Sequence, residues 1–194
     1  MTLPLAPTGV PEPFRAALLG LRAALTSPER PGLDLQEVPA PQRLAPHAVA
    51  VSAEICRDDE QVASGRFVVL HDPQGQDGWR GDTRVVAFVS ADVEAEMAAD
   101  PALAQVGWSW LTESLEERGA RHTAAGGTVT RTVSCRFGQL EDADEASEVE
   151  VRASWTPLAD PDGTLDLAVH LRAWCDLLCA TAGLPPPGVV ALRP

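Results

Sequence analysis

The sequence predicts an α+β fold, an antiparallel sheet of five or six strands with about four helices packed on it. Segments with helical and with strand periodicity follow one another in the order helix, strands, helices, strands, helix. The strands come in neighbouring groups separated by turn-type residues, as antiparallel hairpins require. With 194 residues, of which 45% are hydrophobic and 22% charged, the chain has the size and composition of one globular domain.

The first helix is predicted after a proline-rich lead-in at residues 1–13, which we expect to be flexible. We expect the single domain to span residues 14–190. Pro13 can open the helix, and Ser27-Pro28 ends it. The apolar residues that recur at helical spacing are Phe14, Leu18, Leu21 and Leu25.

Four strands are predicted next, beginning with a short edge strand at 33–38 inside a proline-rich connector. Alternation then predicts a hairpin of strands at 49–55 and 62–70, with Val49, Val51, Ala53 and Ile55 on one face. A further strand runs from Thr83 to Val89. The loop at 71–82 is longer and richer in polar residues than a minimal hairpin turn.

The second half of the chain predicts three helices and one more hairpin. Ser90 or Asp92 can cap a short helix to Ala99, and Asp100-Pro101 starts the next, which ends at Gly119. The hairpin joins strands at 129–137 and 149–155 through an acidic linker at 141–145. Thr164 can cap the last helix, whose wide apolar surface predicts burial on two sides.

Charge limits the partners that the protein can have. The 28 acidic residues outnumber the 15 basic ones, all of which are arginine, and the net charge is −13. Direct binding to nucleic acid and to anionic membranes is therefore disfavoured. The chain has no apolar run that could span a bilayer and no recognisable secretion signal, so we expect it in the cytoplasm.

The four cysteines do not predict a disulfide framework or a metal site. Cys56, Cys135, Cys175 and Cys179 are scattered in apolar contexts, which favours reduced core residues. Cys175 and Cys179 stand four apart on one helix flank, but His170 lies on the opposite flank. We therefore predict no metal and no cofactor.

The loop at 71–82 is the one segment where acid-base groups converge. His71 and Asp72, with Asp77 and Asp82, could take part in catalysis or hold a metal. No nucleophile motif or ligand spacing accompanies them. The favoured interpretation is structural, with Asp72-Pro73 starting a turn and His71 ending a strand.

Arg131 is unusual because its neighbours on the same predicted strand face are apolar. An inward arginine needs a carboxylate or carbonyl partner, or it binds an anionic ligand. The structural pairing is favoured, with Glu94, Glu96 or Asp176 as the candidate carboxylates.

Trp79 and Trp108 are the best candidates for binding a partner. Trp79 lies in the glycine-rich loop, and Trp108 lies off the main face of its helix. Aromatic residues near a surface often anchor partners, although both side chains could instead cover edges of the core.

Seven segments, distributed in order along the chain, resemble the actinobacterial family called the domain of unknown function 3000. They are residues 37–46, 70–73, 97–101, 106–111, 127–132, 152–157 and 173–179. The resemblance implies one domain but no activity, substrate or catalytic residue. It also implies genes that often neighbour those of ribonuclease D-like proteins, which is only an associational hint.

Three functions of different classes remain open. The first is a non-catalytic interaction or adaptor protein, a homodimer or a partner of another protein, acting through an apolar surface that contains Trp79 and Trp108. The second is a small-ligand-binding or enzymatic domain with a pocket near Arg131 and His71. The third is an RNA-associated role, for which salt-sensitive RNA binding is the minimum requirement and against which the charge argues.

Overall fold

The computed structural model describes residues 9–30, 32–135, 137–138 and 146–185. These residues form four helices and six strands, which confirms the predicted α+β class. The helices are α1 (Glu12–Leu25), α2 (Ala95–Ala99), α3 (Leu103–Glu117) and α4 (Leu167–Thr181). The strands are β1 (Leu33–Val38), β2 (His47–Arg57), β3 (Glu60–His71), β4 (Thr83–Asp92), β5 (His122–Ser134) and β6 (Ala146–Pro157).

All six strands belong to one antiparallel sheet with the order β1-β2-β3-β4-β6-β5. The first four strands pair in chain order, as successive hairpins do. The last hairpin enters with its second strand inward, so that β6 pairs with β4 and β5 lies at the edge. Within the described residues, β1 and β5 are therefore the two edge strands.

The main core lies between one face of the sheet and helices α1, α3 and α4. The alternation in β2 is confirmed, because Val49, Val51, Ala53 and Ile55 are all buried against this layer. Helix α4 is buried along most of its length, as its wide apolar surface predicted. Trp174 of α4 donates a hydrogen bond to the Phe88 carbonyl oxygen and fills the space left by Gly65.

The other face of the sheet carries a smaller cluster at one end. Ala50, Val68 and Leu70 are buried there, with Trp79 packed against them. The covering comes from the 71–82 loop and the preceding proline-rich connector, which Gln76 joins by donating to the Leu44 carbonyl oxygen at 3.0 Å. The rest of this face, which we call the open face, has no helix on it in the described part of the chain.

Two predicted helix caps are wrong. Asp166, not Thr164, caps α4, accepting hydrogen bonds from the amides of Ala168 and Val169. Ser90 and Asp92 do not cap α2, since pairing with β6 extends β4 through both residues. Both helices therefore begin at later residues than the capping residues in the sequence predicted.

The strand predicted at 129–137 turns Val129 towards the main core as expected, but the expected burial of this face is wrong. Because β5 is an edge strand, Val129 is half-buried and Arg131 and Val133 are exposed. Cys135 and Phe137 lie beyond the end of β5, and both are exposed. Helix α1 begins at Glu12, two residues before Phe14, while residues 1–8 of the expected lead-in and the acidic linker at 141–145 lie outside the described residues.

Candidate functional site

His71, the candidate acid-base residue, is a core residue at the end of β3. Only 5% of its surface is exposed, and its ring stacks on Phe14 of α1 with centroids 4.4 Å apart. Its Nδ1 lies 2.9 Å from the hydroxyl of Thr83, and that hydroxyl donates to an Asp82 carboxylate oxygen at 2.9 Å. The three side chains form a chain of hydrogen bonds from the core to the surface.

The direction of these bonds determines the form of the His71 ring. Because the Thr83 proton points to Asp82, the Thr83 oxygen accepts from Nδ1, and Nε2 has no proton when the ring is neutral. Nε2 is buried and has no hydrogen-bond partner among the described residues. Burial lowers the pKa of His71, which favours this neutral form.

Asp72 has the turn role that was the favoured interpretation. One of its carboxylate oxygens accepts from the Gln74 amide at 3.1 Å, and its backbone amide donates to the Asp82 carbonyl oxygen at 2.8 Å. The second bond closes the base of the 71–82 loop, so the loop continues the pairing of β3 with β4.

The two candidate tryptophans do not form one surface. Trp79 is half-buried against the small cluster on the open-face side, and the Thr156 hydroxyl donates to its carbonyl oxygen. Trp108 is half-buried against the main core on the helix side, and its ring lies close to Gly127. A partner that bound both residues at once would have to reach both faces of the sheet.

Arg131 pairs with backbone carbonyls rather than with a carboxylate. Its Nη1 donates to the carbonyl oxygens of Ala98 at 2.9 Å and Asp100 at 2.6 Å, joining β5 to the end of α2. The candidate partner Asp176 instead accepts from Arg118 at 2.5 and 3.1 Å. The expected carboxylate partner for Arg131 is therefore wrong, because its guanidinium reaches the carbonyl groups at the C-terminal end of α2 instead.

Arg118 is the centre of a partly buried ion-pair network between the end of α3, helix α4 and the segment after α1. It binds Asp176 and also Glu29, which in turn pairs with Arg172. The bond from Arg118 is the main cause of the lowered pKa of Glu29. The network attaches the segment after α1 to α3 and α4.

Arg131 and His71 are at opposite ends of the sheet. His71 pairs with Thr83 at the start of β4, whereas Arg131 pairs with Val149, which is opposite Ala91 near the end of β4. Eight residues of β4 separate these positions, or about 26 Å of strand. The two residues therefore do not share a pocket.

The cysteines divide into two classes. Cys175 and Cys179 are buried, as predicted, and burial raises the pKa of both thiols, which makes them poor nucleophiles. Cys56 and Cys135 are exposed, so their prediction as core residues is wrong. The described residues contain no group of three or more histidine, cysteine or acidic residues placed to hold a metal. None of the described helices has the length and apolar character needed to cross a bilayer.

The surface that the sequence analysis missed lies around β5. Three exposed apolar side chains occur on or beside this strand, namely Val133 (49% exposed), Met97 of α2 (44%) and Val106 of α3 (40%). Met97 precedes Ala98, the acceptor of Arg131, and Val106 precedes Gly107, against which Val129 packs. The alternation in β5 indicated an apolar face, but only the strand order shows that this face is at an edge.

The family model described as "Protein of unknown function (DUF3000)" matches residues 10–190. The chain belongs to this family. The match includes every helix and strand described above, so the family model covers the whole of the described fold. The family description assigns no activity. No curated protein and no solved structure matches the chain.

Proposed function

We propose that this protein is a non-catalytic interaction protein that pairs with a second copy of itself through the edge of β5. The observation that carries the proposal is the nature of that edge. β5 has 13 residues, pairs on one side with β6, and contains no aspartate or glutamate although the chain has a net charge of −13. Beyond the bulge between Thr123 and Gly126, residues 127–134 pair regularly with β6, and a regular edge of this length is a template for pairing with another strand.

The opposite edge has the protection that β5 lacks. β1 has only six residues, contains Asp34 and Glu37, and continues into a proline-rich segment. Glu37 is also bound by Arg22 of α1 through two hydrogen bonds of 2.9 and 2.8 Å. Short length, charge and proline are the usual features that prevent edge pairing.

The side chains around β5 supply apolar area for the same contact. Val133 lies on the helix side of β5, and Met97 and Val106 are exposed on the two helices that flank this side, so a second copy beside β5 would cover Val133 and, where it extends over the helices, Met97 and Val106. Burial of apolar surface would add to the backbone hydrogen bonds that the new strand pair makes.

Two copies of β5 that pair antiparallel are related by a two-fold axis, as in a closed homodimer. An axis at Thr130 sets Thr130 opposite Thr130 of the partner subunit and Arg131 opposite Val129 of the partner subunit. The two Arg131 side chains are then not directly opposed, so this register avoids like-charge contact.

Sedimentation velocity over a range of concentrations tests the proposal with a matched pair of variants. We expect the wild type to form dimers at micromolar to millimolar concentration and Val133→Glu to weaken them by about tenfold or more, because it adds a charge at the contact. Leu19→Glu, on the exposed face of α1, should leave dimerisation unchanged. Both side chains are exposed, so thermal unfolding should be similar for the two variants.

Two results would overturn the proposal. One is a wild-type protein that remains monomeric throughout this concentration range. The other is equal weakening by Val133→Glu and Leu19→Glu, which would indicate a general charge effect rather than a contact at β5.

We also propose a cytoplasmic location in an actinobacterium. The support is the resemblance of the sequence motifs and the state of the cysteines, all four of which are free thiols. The interaction role is preferred to a pocket shared by Arg131 and His71, because the strand register separates those residues.

A further inference from the structure

A row of three large side chains crosses the open face of the sheet. In the strand register, Arg66 of β3 is opposite Phe88 of β4, and Phe88 is opposite Arg152 of β6. Thr128 of β5 follows Arg152 in the same row. An aromatic ring thus lies between two arginines on a face that no described helix covers.

Phe88 is an aromatic residue on the outward-facing side of β4. Its neighbours Ala87 and Val89 point into the main core, whereas Phe88 is half-buried on the open face. The guanidinium carbon of Arg152 lies 5.2 Å from the centre of its ring, a cation-π geometry. Arg152 is also held by Glu150 through hydrogen bonds of 3.1 and 2.9 Å.

A shallow and largely open depression of the surface borders Phe88. Its lining residues include Val86, Gly126, Thr128, Arg152 and Ser154. A side chain at Gly126 would meet nothing within 4 Å, so glycine leaves this part of the surface open.

Two arginines, Arg84 and Arg66, bring positive charge to the neighbourhood of this depression. Arg84 donates to Ser154 Oγ at 2.7 Å, to Thr156 Oγ1 at 3.1 Å and to the Ala124 carbonyl oxygen at 2.9 Å, all of which are neutral acceptors. Arg66 is exposed, and the described residues offer it no carboxylate within ion-pair distance. Among the described residues, neither Arg66 nor Arg84 thus has a carboxylate that neutralises its charge, although Arg84 is already bonded to three neutral acceptors.

Two acidic side chains of the open face lie on the side of the row that is away from Arg84. Glu54 and Glu150 belong to the next row along the strands, with Ser64 and Ser90 between them. Glu150 compensates Arg152, and Glu148 is bound to the Ser90 hydroxyl. Next to the row, Arg84 and the two glutamates therefore lie on opposite sides, so a ligand with one anionic end is favoured with that end towards Arg84.

We propose that this face binds a ligand that combines a planar aromatic ring with a phosphate, the chemistry of a nucleotide. The ring packs against the Phe88–Arg152 pair beside Arg66, and the phosphate lies over Gly126 towards Arg84. The net charge of −13 opposes a long polyanion, so the ligand is a free nucleotide rather than a nucleic-acid strand. Gly126 and Thr128 of β5 line the site, so it borders the edge that would pair with a second copy, but binding of the ligand does not require that pairing.

Calorimetric titration with adenosine monophosphate and guanosine monophosphate tests the site, with the corresponding nucleosides and a short single-stranded oligonucleotide as further ligands. We expect at least one monophosphate to bind more tightly than its nucleoside. Phe88→Leu and Arg66→Gln should each weaken binding by about tenfold, a typical loss for one stacking contact. Arg57→Gln, which removes an exposed charge at the β2–β3 turn, is the matched control and should bind as the wild type does.

Three results would overturn the inference. One is no binding of either monophosphate at millimolar concentration to protein that is folded by circular dichroism. The second is equal weakening in Arg57→Gln, which would indicate non-specific attraction. The third is much tighter and strongly salt-dependent binding of the oligonucleotide, which would make the ligand a strand instead of a free nucleotide.

Discussion

At the scale of single residues, the structure gives two of the four histidines buried positions. His170 of α4 is almost fully buried, and its Nδ1 accepts a hydrogen bond from the indole of Trp155 at 3.1 Å. Burial lowers the pKa of His170 to about 4. The indole donates only to an unprotonated nitrogen, so protonation at Nδ1 removes this bond.

We predict that His170 makes the protein acid-sensitive. Its folded pKa of about 4 lies below the usual unfolded value of about 6.5, so the unfolded chain binds the proton first. Stability from this residue is complete above about pH 6.5 and is lost as the pH falls towards about 4, by about 3 kcal/mol in total. Urea unfolding across this pH range should show a smaller loss for His170→Gln than for the wild type.

His47→Gln is the control for this experiment, because it leaves His170 and Trp155 untouched and should retain most of the wild-type acid sensitivity. The explanation fails if His170→Gln and the wild type lose the same free energy of unfolding. In that case carboxylates such as Glu29, whose pKa is lowered by Arg118, would account for the acid sensitivity.

At the scale of elements, adjacent glycines in β5 have different roles. A Cβ added at Gly127 would overlap the carbonyl oxygen of Arg152 and come within 2.9 Å of the Trp108 ring. A Cβ added at Gly126 would meet nothing within 4 Å. Gly127 therefore allows β5 to approach β6 and α3, whereas Gly126 lies in open space.

We predict that Gly127→Ala lowers the free energy of unfolding by about 1 to 3 kcal/mol, because backbone and indole must move apart. Gly126→Ala should change it by no more than about 0.5 kcal/mol. Chemical denaturation of the two variants measures the difference. Equal effects would mean that β5 adjusts its position easily and that the close approach at Gly127 is unimportant.

The same elements show what could be predicted locally. The order of helices and strands follows from periodicity, which depends on neighbours a few residues away. The exposure of β5 could not be predicted, because the burial of Val133 depends on whether another strand or helix lies beside it. The cap of α4 was misplaced for a related reason: Thr164 and Asp166 are both suitable residues, and packing of α4 determines where the helix begins.

At the scale of the whole molecule, the net charge of −13 acts on any contact between two copies. The proposed β5 contact contains no carboxylate of that strand, so it gains little from ion pairs, while the remaining surfaces repel each other. Dimerisation should therefore depend on how well salt screens this repulsion.

We predict that raising NaCl from about 0.05 to about 0.5 M strengthens wild-type dimerisation, since the screening length falls severalfold. Sedimentation velocity or light scattering at fixed protein concentration measures the change. A dimer that weakens as salt rises would indicate an interface held by ion pairs, and β5 would then not be its centre.

The sequence by itself determined the α+β class, the acidic charge and the core face of each central strand, because composition and periodicity are local properties, while the family was indicated by the resemblance of its motifs. Only the tertiary structure decided that β6 enters the sheet before β5, that His71 and Arg131 are far apart, and that Arg66, Phe88 and Arg152 form one row. These properties depend on strand order and register, which are set by packing between residues distant in the chain.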